Sequence, residues 1–294
     1  MRILICSNGM PAADNAARIG GLLAALSNSE TTLLGVSEKP EHEEALRGAL
    51  EMEAQTLRGQ GVSPHIAIGA GNPIRQILNE TSQNTYDLVV IGAERKGRTG
   101  LYWRSQKMYE VVKAIPPPVL VAMGDCRQLK RFLVCTGGKK YIAEAVHLAG
   151  KFAAAAGASV TLLHVMAEPP AMYADLVQME EDLNRLLETK SELGLNLSRQ
   201  KADLESLGVA VDVRIRHGLV VKQVFAEVHE GNYDMIVTGT SQARGIVRHY
   251  IMGDLTRSIL NRADFPVLVA RSGPLGGSSN IFQSLKNWFA IGSG

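Results

Sequence analysis

Two loops of this 294-residue chain have the residue types that bind phosphate. Each loop follows a segment that is written twice, YDLVVIG at 86–92 and YDMIVTG at 233–239. Backbone N–H groups of a glycine-bearing loop, together with the N-terminus of a following helix, are suited to bind a phosphate group. The candidate residues are Gly92, Lys96 and Gly97 in the first copy, and Gly239, Thr240, Ser241, Arg244, Gly245 and Gly253 in the second.

The segments around these loops recur in the same order, which indicates a duplicated domain. Residues 3–9 (ILICSNG) return at 132–138 (FLVCTGG), and residues 31–36 return at 160–165, in both cases 129 positions later. Residues 71–77 return at 218–224, which is 147 positions later, and PVLVA at 118–122 returns at 266–270. The change in spacing by 18 positions predicts an insertion in the second copy between residues 166 and 217.

Each copy alternates short β-branched runs with longer segments of helical period. In the second copy the runs are 131–135, 160–165, 209–215, 234–238 and 266–270. Most are apolar throughout, as expected of strands that are covered on both faces, and residues 143–156 show the apolar face of a helix. This alternation predicts an α/β fold with a doubly wound parallel sheet in each copy. We expect domains at 1–124 and 130–272 and a tail at 273–294.

The composition narrows the class of protein. The chain has 31 basic and 29 acidic residues, and this near balance does not indicate a nucleic-acid binder. Its three cysteines, Cys6, Cys126 and Cys135, have neither metal-binding spacing nor a disulfide pattern, which favours a reducing compartment. The apolar run near the N-terminus is too short for a secretory signal. We therefore expect a cytoplasmic protein.

The duplicated pattern resembles the universal stress protein family in tandem form. The resemblance rests on YD[LM][IV]V.G followed about 27 residues later by PVLV in each copy, and it covers residues 1 to about 272. It implies a Rossmann-like, adenine nucleotide alpha-hydrolase-like fold with a five-stranded parallel sheet of order 3-2-1-4-5 in each copy. It also implies ATP or AMP at the carboxyl ends of strands 1 and 4, with Mg²⁺ only together with ATP. Ligands of open α/β sheets bind at such a switch in strand order.

Both phosphate loops depart from the family motif of Gly, two residues, Gly, nine residues, Gly and Ser or Thr. The first copy has Arg95 at the second glycine position, and the second copy has Gln242 there. Gly253 is followed by Asp254, one residue later than the motif expects. Asp254 is either the N-cap of a helix over 255–262 or a carboxylate that competes with phosphate for the N–H groups, and capping preference favours the first. We expect binding in the second copy before the first.

The end of the first strand in each copy holds the other candidate residues. The family tends to have an acidic residue there, facing the adenine and ribose, whereas this chain has Ser7 and Thr136. Either hydroxyl could bind a base or ribose, although short polar residues after a strand are more often turn formers. The predicted set in the second copy is completed by Gly137, Gly138 and Val165. Residues 135–141 (CTGGKKY) also resemble the phosphate loop of ATP pyrophosphatases, but Lys140 and Tyr141 replace its Asp-Ser pair.

The sequence gives little support to catalysis. No nucleophile has a base at a recognisable spacing, and the seven histidines form no metal motif, so no catalytic or metal-binding residue is predicted. His164, near the end of a predicted strand, is a candidate for ligand contact or for capping that strand. We expect a regulatory nucleotide-binding protein, at most a slow ATPase.

Two apolar faces suggest an alternative function, that of a nucleotide-free interaction scaffold. Residues 174–207 predict a long amphipathic helix, with Gly194 as the candidate break, which we assign to the insertion of the second copy. Residues 281–289 (IFQSLKNWF) predict a short amphipathic helix after the flexible linker GPLGGSSN. We expect each face either to pack on its own chain or to form a contact surface for a protein partner or for self-association. For the tail, these are favoured over contact with a lipid interface.

Overall fold

The computed structural model describes residues 1–7, 9, 15–93, 109, 111–124, 126, 128–137, 142–167, 187, 191–241 and 255–272. The first half consists of β1 (Arg2–Ser7), α1 (Asn15–Leu26), β2 (Glu30–Ser37), α2 (Glu43–Gly59), β3 (His65–Ala70), α3 (Pro73–Gln83), β4 (Leu88–Gly92) and β5 (Val119–Ala122). The second half consists of β6 (Arg131–Cys135), α4 (Ala143–Ala156), β7 (Ser159–Met166), α5 (Glu192–Ser206), β8 (Val211–His217), α6 (Val220–Gly231), β9 (Met235–Ser241), α7 (255–262) and β10 (Val267–Ser272).

The strands form one continuous ten-stranded sheet in the order β3-β2-β1-β4-β5-β10-β9-β6-β7-β8. Each half is parallel and has the predicted order 3-2-1-4-5. The two halves meet where β5 and β10 pair antiparallel, with Val119 opposite Val269 and Val121 opposite Val267. The two PVLVA strands are therefore the edges that meet, and the two predicted sheets are joined into one.

The antiparallel joint determines where the two switch points lie. All strands of the first half point in one direction, and all strands of the second half point in the other. The carboxyl ends of β1 and β4 therefore lie on one edge of the ten-stranded sheet, and those of β6 and β9 lie on the opposite edge. A ligand in one switch point would not face a ligand in the other.

One hydrophobic core covers each face of the sheet, and both cores run through the two halves. One core joins α1, α2, α4 and α5 to the strands through residues such as Leu50, Phe132 and Leu204. The other packs α3, α6 and α7 on the opposite face through residues such as Ile77 and Val224. Burial on both faces explains why the strands read as uninterrupted apolar runs.

The assignment of the 174–207 helix to the insertion is wrong for the residues that the structure describes. α5 begins at Glu192, where Ser191 Oγ accepts a hydrogen bond from Gly194 N at 3.0 Å, so Gly194 lies inside the first turn. α5 occupies the same place as α2, between the second and third strands of its half. Its buried Leu197 and Leu204 correspond to Leu50 and Leu57, 147 positions earlier. The extra residues therefore lie between β7 and α5, and the rest of the stripe, 174–190 apart from Leu187, lies outside the described residues.

The repeated Tyr-Asp pair links the fourth strand of each half to the first strand. Asp87 Oδ2 accepts a hydrogen bond from Arg2 N at 2.8 Å. In the second half Asp234 Oδ2 accepts from Lys130 N at 2.8 Å and from Arg131 N at 3.0 Å. These bonds are the structural reason that the two segments read alike, and they involve residues at the amino ends of the strands, away from the switch points.

Candidate functional site

The ladder between the first and the fourth strand is one residue pair shorter in the second half than in the first half. In the first half, β1 and β4 stay paired from Ile3–Leu88 to Cys6–Ile91. In the second half, the ladder between β6 and β9 ends at Val134–Val237, although β6 continues to Cys135 and β9 to Ser241. The pairing of β6 with β9 therefore ends one residue pair sooner than the pairing of β1 with β4.

Thr136 directly follows β6 at the switch in strand order of the second half. Its N–H donates to Leu163 O at 2.9 Å, which continues the line of β6 beside β7. Its hydroxyl donates to Gln200 Oε1 of α5 at 2.8 Å, and both side chains are buried. The hydrogen of this hydroxyl is thus used inside the protein.

His164 supports the same turn. Its Nδ1 lies 2.9 Å from the carbonyl oxygen of Thr136. A carbonyl can only accept, so Nδ1 must carry the hydrogen, and Nε2 of a neutral His164 is then an acceptor. His164 lies inside β7, which continues to Met166, so its ring contacts the end of β6 and does not cap its own strand. Burial raises the pKa of the neighbouring Cys135 thiol to about 12, so this cysteine is a neutral side chain at physiological pH.

The corresponding positions of the first half are arranged differently. Ser7 Oγ accepts a hydrogen bond from Gly9 N at 3.0 Å, which is the turn-forming role predicted as the alternative to ligand binding. Gly9 has a φ of 72°, a conformation that favours glycine. Where the second half has Gln200, the first half has Glu53, which is also buried.

The N-terminus of α7 lies beside the carboxyl end of β9. Thr256, in the first turn of α7, is fully buried, and its hydroxyl lies 3.4 Å from Gly239 O and 3.3 Å from Thr238 Oγ1. The first N–H groups of a helix have no partner within the helix and suit an anion. Residues 255–262 are helical as predicted, while Asp254 lies outside the described residues.

The structure places only some of the predicted nucleotide-binding residues. Thr136 and Gly137 follow β6, Val165 lies one residue before the end of β7, and Gly239 lies in the last three residues of β9. They are therefore near the carboxyl ends of neighbouring strands of the second half, and the backbone of Thr240 and Ser241 extends β9 there. Ser7 and Gly92 end β1 and β4 on the opposite edge. The remaining predicted residues lie outside the described ones: Gly138, Arg244, Gly245, Gly253, Lys96 and Gly97.

Sequence reasoning did not identify Gln200 and Thr256 as neighbours of the site. Gln200 interrupts the apolar stripe of α5 between Leu197 and Leu204, and a polar residue within a buried stripe needs a partner. That signal could have been used. Nothing in the sequence around Thr256 distinguishes it from an ordinary residue of a first helical turn.

An ion-pair cluster distinguishes the outer strand of the second half. Glu227 is fully buried and accepts hydrogen bonds from Arg214 Nη1 at 2.8 Å, Arg216 Nε at 2.7 Å and the Tyr233 hydroxyl at 2.6 Å. Burial by itself raises the pKa of Glu227, but the hydrogen bonds from Tyr233 and Arg216 and both arginine charges hold it below its ordinary value. In the first half Glu80 accepts hydrogen bonds from the Tyr86 hydroxyl at 2.6 Å and from Asn84 Nδ2 at 2.9 Å, and Ala67 and Gly69 stand at the positions of the two arginines.

The described residues set two limits on other site types. Among them, no three or more His, Cys, Asp or Glu side chains are grouped so that they could hold a metal ion. Within the same ranges, no helix is long and apolar enough to cross a membrane.

Two parallel half-sheets, each with a switch in strand order, define an adenine nucleotide alpha-hydrolase-like fold. A sequence model of the universal stress protein family matches residues 1–122 and again residues 128–271. The chain therefore belongs to the universal stress protein family, with the family unit present twice.

Two solved structures illustrate the likeness. A functionally unknown protein from Pseudomonas aeruginosa PAO1 has a TM-score of 0.70 at 15% identity, over 99% of this chain and 97% of that chain. A universal stress protein from Archaeoglobus fulgidus DSM 4304 has a TM-score of 0.63 at 20% identity, over 92% of this chain and 98% of that chain. At these identities the likeness concerns the fold alone. The chain matches no curated protein.

Proposed function

We propose that this universal stress protein is a regulatory protein that binds an adenine nucleotide, ATP or AMP, at the switch point of its second half. The observation that carries the proposal is the early separation of β6 and β9, with the N-terminus of α7 beside the end of β9. A crevice outside the carboxyl ends of the strands is where ligands of open α/β sheets bind. A helix N-terminus at that crevice supplies N–H groups for a phosphate.

The residues of the second half divide into two groups under this proposal. Thr136, Gly137 and Val165 contact the base and ribose from the ends of β6 and β7. The loop after Gly239 contacts the phosphates, through Thr240, Ser241, Arg244, Gly245 and Gly253, and Mg²⁺ binds only together with ATP. We assign no catalytic residue, so the protein acts by binding and is at most a slow ATPase.

Three differences between the halves favour the second as the nucleotide site. β1 and β4 stay paired for one residue pair more than β6 and β9. Ser7 Oγ accepts a hydrogen bond within its own turn, whereas the Thr136 hydroxyl donates to Gln200 of α5. The first half also has the acid Glu53 at the position of the neutral Gln200, and a buried carboxyl group is less compatible with an anionic ligand.

The proposal is tested by measuring ATP and AMP binding by calorimetry with matched pairs of variants. Thr136→Val removes the hydroxyl between β6 and α5, and Gly239→Val adds bulk at the end of β9. We expect each to weaken binding about tenfold or more, because each changes a contact surface of the site. Ser7→Ala and Gly92→Val make the equivalent changes in the first half and should leave the affinity unchanged. Equal effects of the two pairs would refute the placement of the site in the second half. No binding by the native chain would refute the proposal as a whole and favour the interaction scaffold.

A further inference from the structure

An exposed apolar pair marks the beginning of α6. Leu219 is 76% exposed and Val220 is 38% exposed, and both are in the first turn of this helix. Of the five large apolar side chains that are exposed among the described residues, these two are the only neighbours in sequence. We call Leu219 and Val220 the α6 patch.

The first half has a stronger N-cap at the position that corresponds to the α6 patch. At the equivalent position α3 begins with Asn72, whose Oδ1 accepts a hydrogen bond from Arg75 N at 3.1 Å, followed by Pro73 at the first helical position. Leu219 makes no side-chain cap. Asparagine is among the preferred N-cap residues and leucine among the poorest, so the second half has lost a cap and exposed an apolar side chain at one position. A contact that covers Leu219 would offset both effects.

The position of the patch relative to the last strand suggests what covers it. β8 and β10 are parallel members of the same half, so their carboxyl ends lie on the same edge of the sheet. They are four strand positions apart, about 19 Å at ~4.8 Å per strand. The linker 273–280 leaves β10 at this edge and spans up to about 26 Å when extended. The amphipathic segment 281–289 that follows can therefore reach the α6 patch.

The insertion before α5 is a weaker candidate for the same surface. Its one described residue, Leu187, accepts a hydrogen bond from Ser198 Oγ at 3.0 Å, which places it beside α5. α5 belongs to the core on one face of the sheet, whereas α6 packs on the other face. The insertion therefore ends on the face opposite the α6 patch.

We propose that the C-terminal segment 281–289 of this chain docks on the α6 patch, with Leu219 and Val220 against its apolar stripe of Ile281, Phe282, Leu285, Trp288 and Phe289. The proposal is independent of nucleotide binding. It also explains why a leucine stands at this N-cap position: the Leu219 side chain contacts the tail and does not cap α6.

Hydrogen–deuterium exchange of the full chain tests the docking directly, with Leu219→Asn as the variant. This change installs the residue of the first half, so it restores an N-cap while it removes the apolar contact. We expect slow exchange of the 281–289 amides in the native chain and exchange about tenfold faster in Leu219→Asn. The melting temperature of the folded halves should stay the same or rise slightly, because the new cap stabilises α6.

The matched control is Met52→Asn, which removes another exposed apolar side chain, 63% exposed, from α2 of the first half. It should leave the exchange of 281–289 unchanged. Unprotected amides in the native chain, or protection that Leu219→Asn does not reduce, would overturn the proposal. Protection that grows with protein concentration would also overturn it, because a second copy would then supply the contact.

Discussion

Glu227 and its partners show most clearly how single residues differ between the two halves. Both halves keep a tyrosine hydroxyl on a glutamate, Tyr86 on Glu80 and Tyr233 on Glu227. Only the second half adds two arginines, at positions where the first half has Ala67 and Gly69. Tyr233 also lies under the guanidinium of Arg131, at 5.3 Å from the ring centre. Because Arg214 and Arg216 of β8 both bind Glu227, the stability of this outermost strand depends on one buried carboxylate.

Glu227→Gln should therefore destabilise the protein strongly. It leaves two arginines and a tyrosine hydroxyl without their carboxylate, and we expect a loss of about 3 kcal/mol at pH 7. Glu80→Gln removes a charge that accepts hydrogen bonds from two neutral groups, the Tyr86 hydroxyl and the Asn84 amide, and about 1 kcal/mol is expected. Urea unfolding of both variants measures the difference. Equal losses would contradict the role given to the arginines.

The same tyrosines predict a titration at high pH. Burial raises the pKa of Tyr233 to about 12, and the hydrogen bond to Glu227 acts in the same direction. Burial and the hydrogen bond to Glu80 likewise raise the pKa of Tyr86 to about 12. Because the folded pKa lies above the ordinary value of about 10, these residues stabilise the fold fully below pH 10. That contribution is lost as the pH rises from 10 to 12.

Absorbance titration should show two of the seven tyrosines ionising near pH 12. Tyr86→Phe together with Tyr233→Phe should remove those two from the curve and leave the others in place. A native curve in which all seven tyrosines ionise near pH 10 would show that the two side chains are not held as described.

Among the secondary structure elements, α5 is where the sequence and the structure differ most. The sequence correctly predicted the strands, α4 and the start of α7, because those segments have their own apolar period or a β-branched run. It could not separate α5 from the insertion, because both have leucines at helical spacing and a stripe does not reveal what it packs against. Only the spacing of 147 positions, shared by Leu50 and Leu197, would have paired α5 with α2.

The status of α5 as a core element is tested by a series of leucine truncations. Leu197→Ala and Leu50→Ala each empty a fully buried position, and each should cost about 3 kcal/mol. Leu195→Ala, on the same helix but 51% exposed, should cost less than about 0.5 kcal/mol. Chemical unfolding of the three variants gives the comparison. A small loss of unfolding free energy in Leu197→Ala would contradict the core role of α5 and favour a partner-binding surface.

The site itself was only partly predictable at this scale. The strand ends at Thr136 and Gly239 follow from the duplicated pattern and the rule for switch points. The early separation of β6 and β9 does not, because the point where a ladder ends depends on packing between distant segments. The Thr136–Gln200 hydrogen bond joins residues 64 positions apart, which no local pattern connects.

For the whole molecule, the joint between β5 and β10 makes the two halves one body. Arg271, at the end of β10, donates to the carbonyl oxygens of Val112 and Ile115 in the other half. Burial lowers the pKa of its guanidinium to about 10, so it is still charged at pH 7. Arg18 of α1 donates to the carbonyl oxygen of Gly124, which follows β5, at 2.9 Å. The first half has Met123 where the second has Arg271, so the joint is asymmetric.

Arg271→Met places the residue of the first half in the second. It leaves two or more buried carbonyl groups without their donor, so we expect a loss of about 2 kcal/mol in unfolding free energy. Arg58→Met, which removes an exposed arginine of α2, should change the free energy by less than about 0.5 kcal/mol. If Arg271→Met and Arg58→Met have the same free energy of unfolding, Arg271 does not hold the two halves together.

The central claim for the whole molecule is that two copies of one fold carry one working nucleotide site. Native mass spectrometry of the purified chain with ATP or AMP counts the bound nucleotides directly. The account predicts one nucleotide per chain, with an occupancy that is unchanged in Ser7→Ala and reduced in Thr136→Val at the same nucleotide concentration. Two nucleotides per chain, none, or a single one lost only in Ser7→Ala would contradict it.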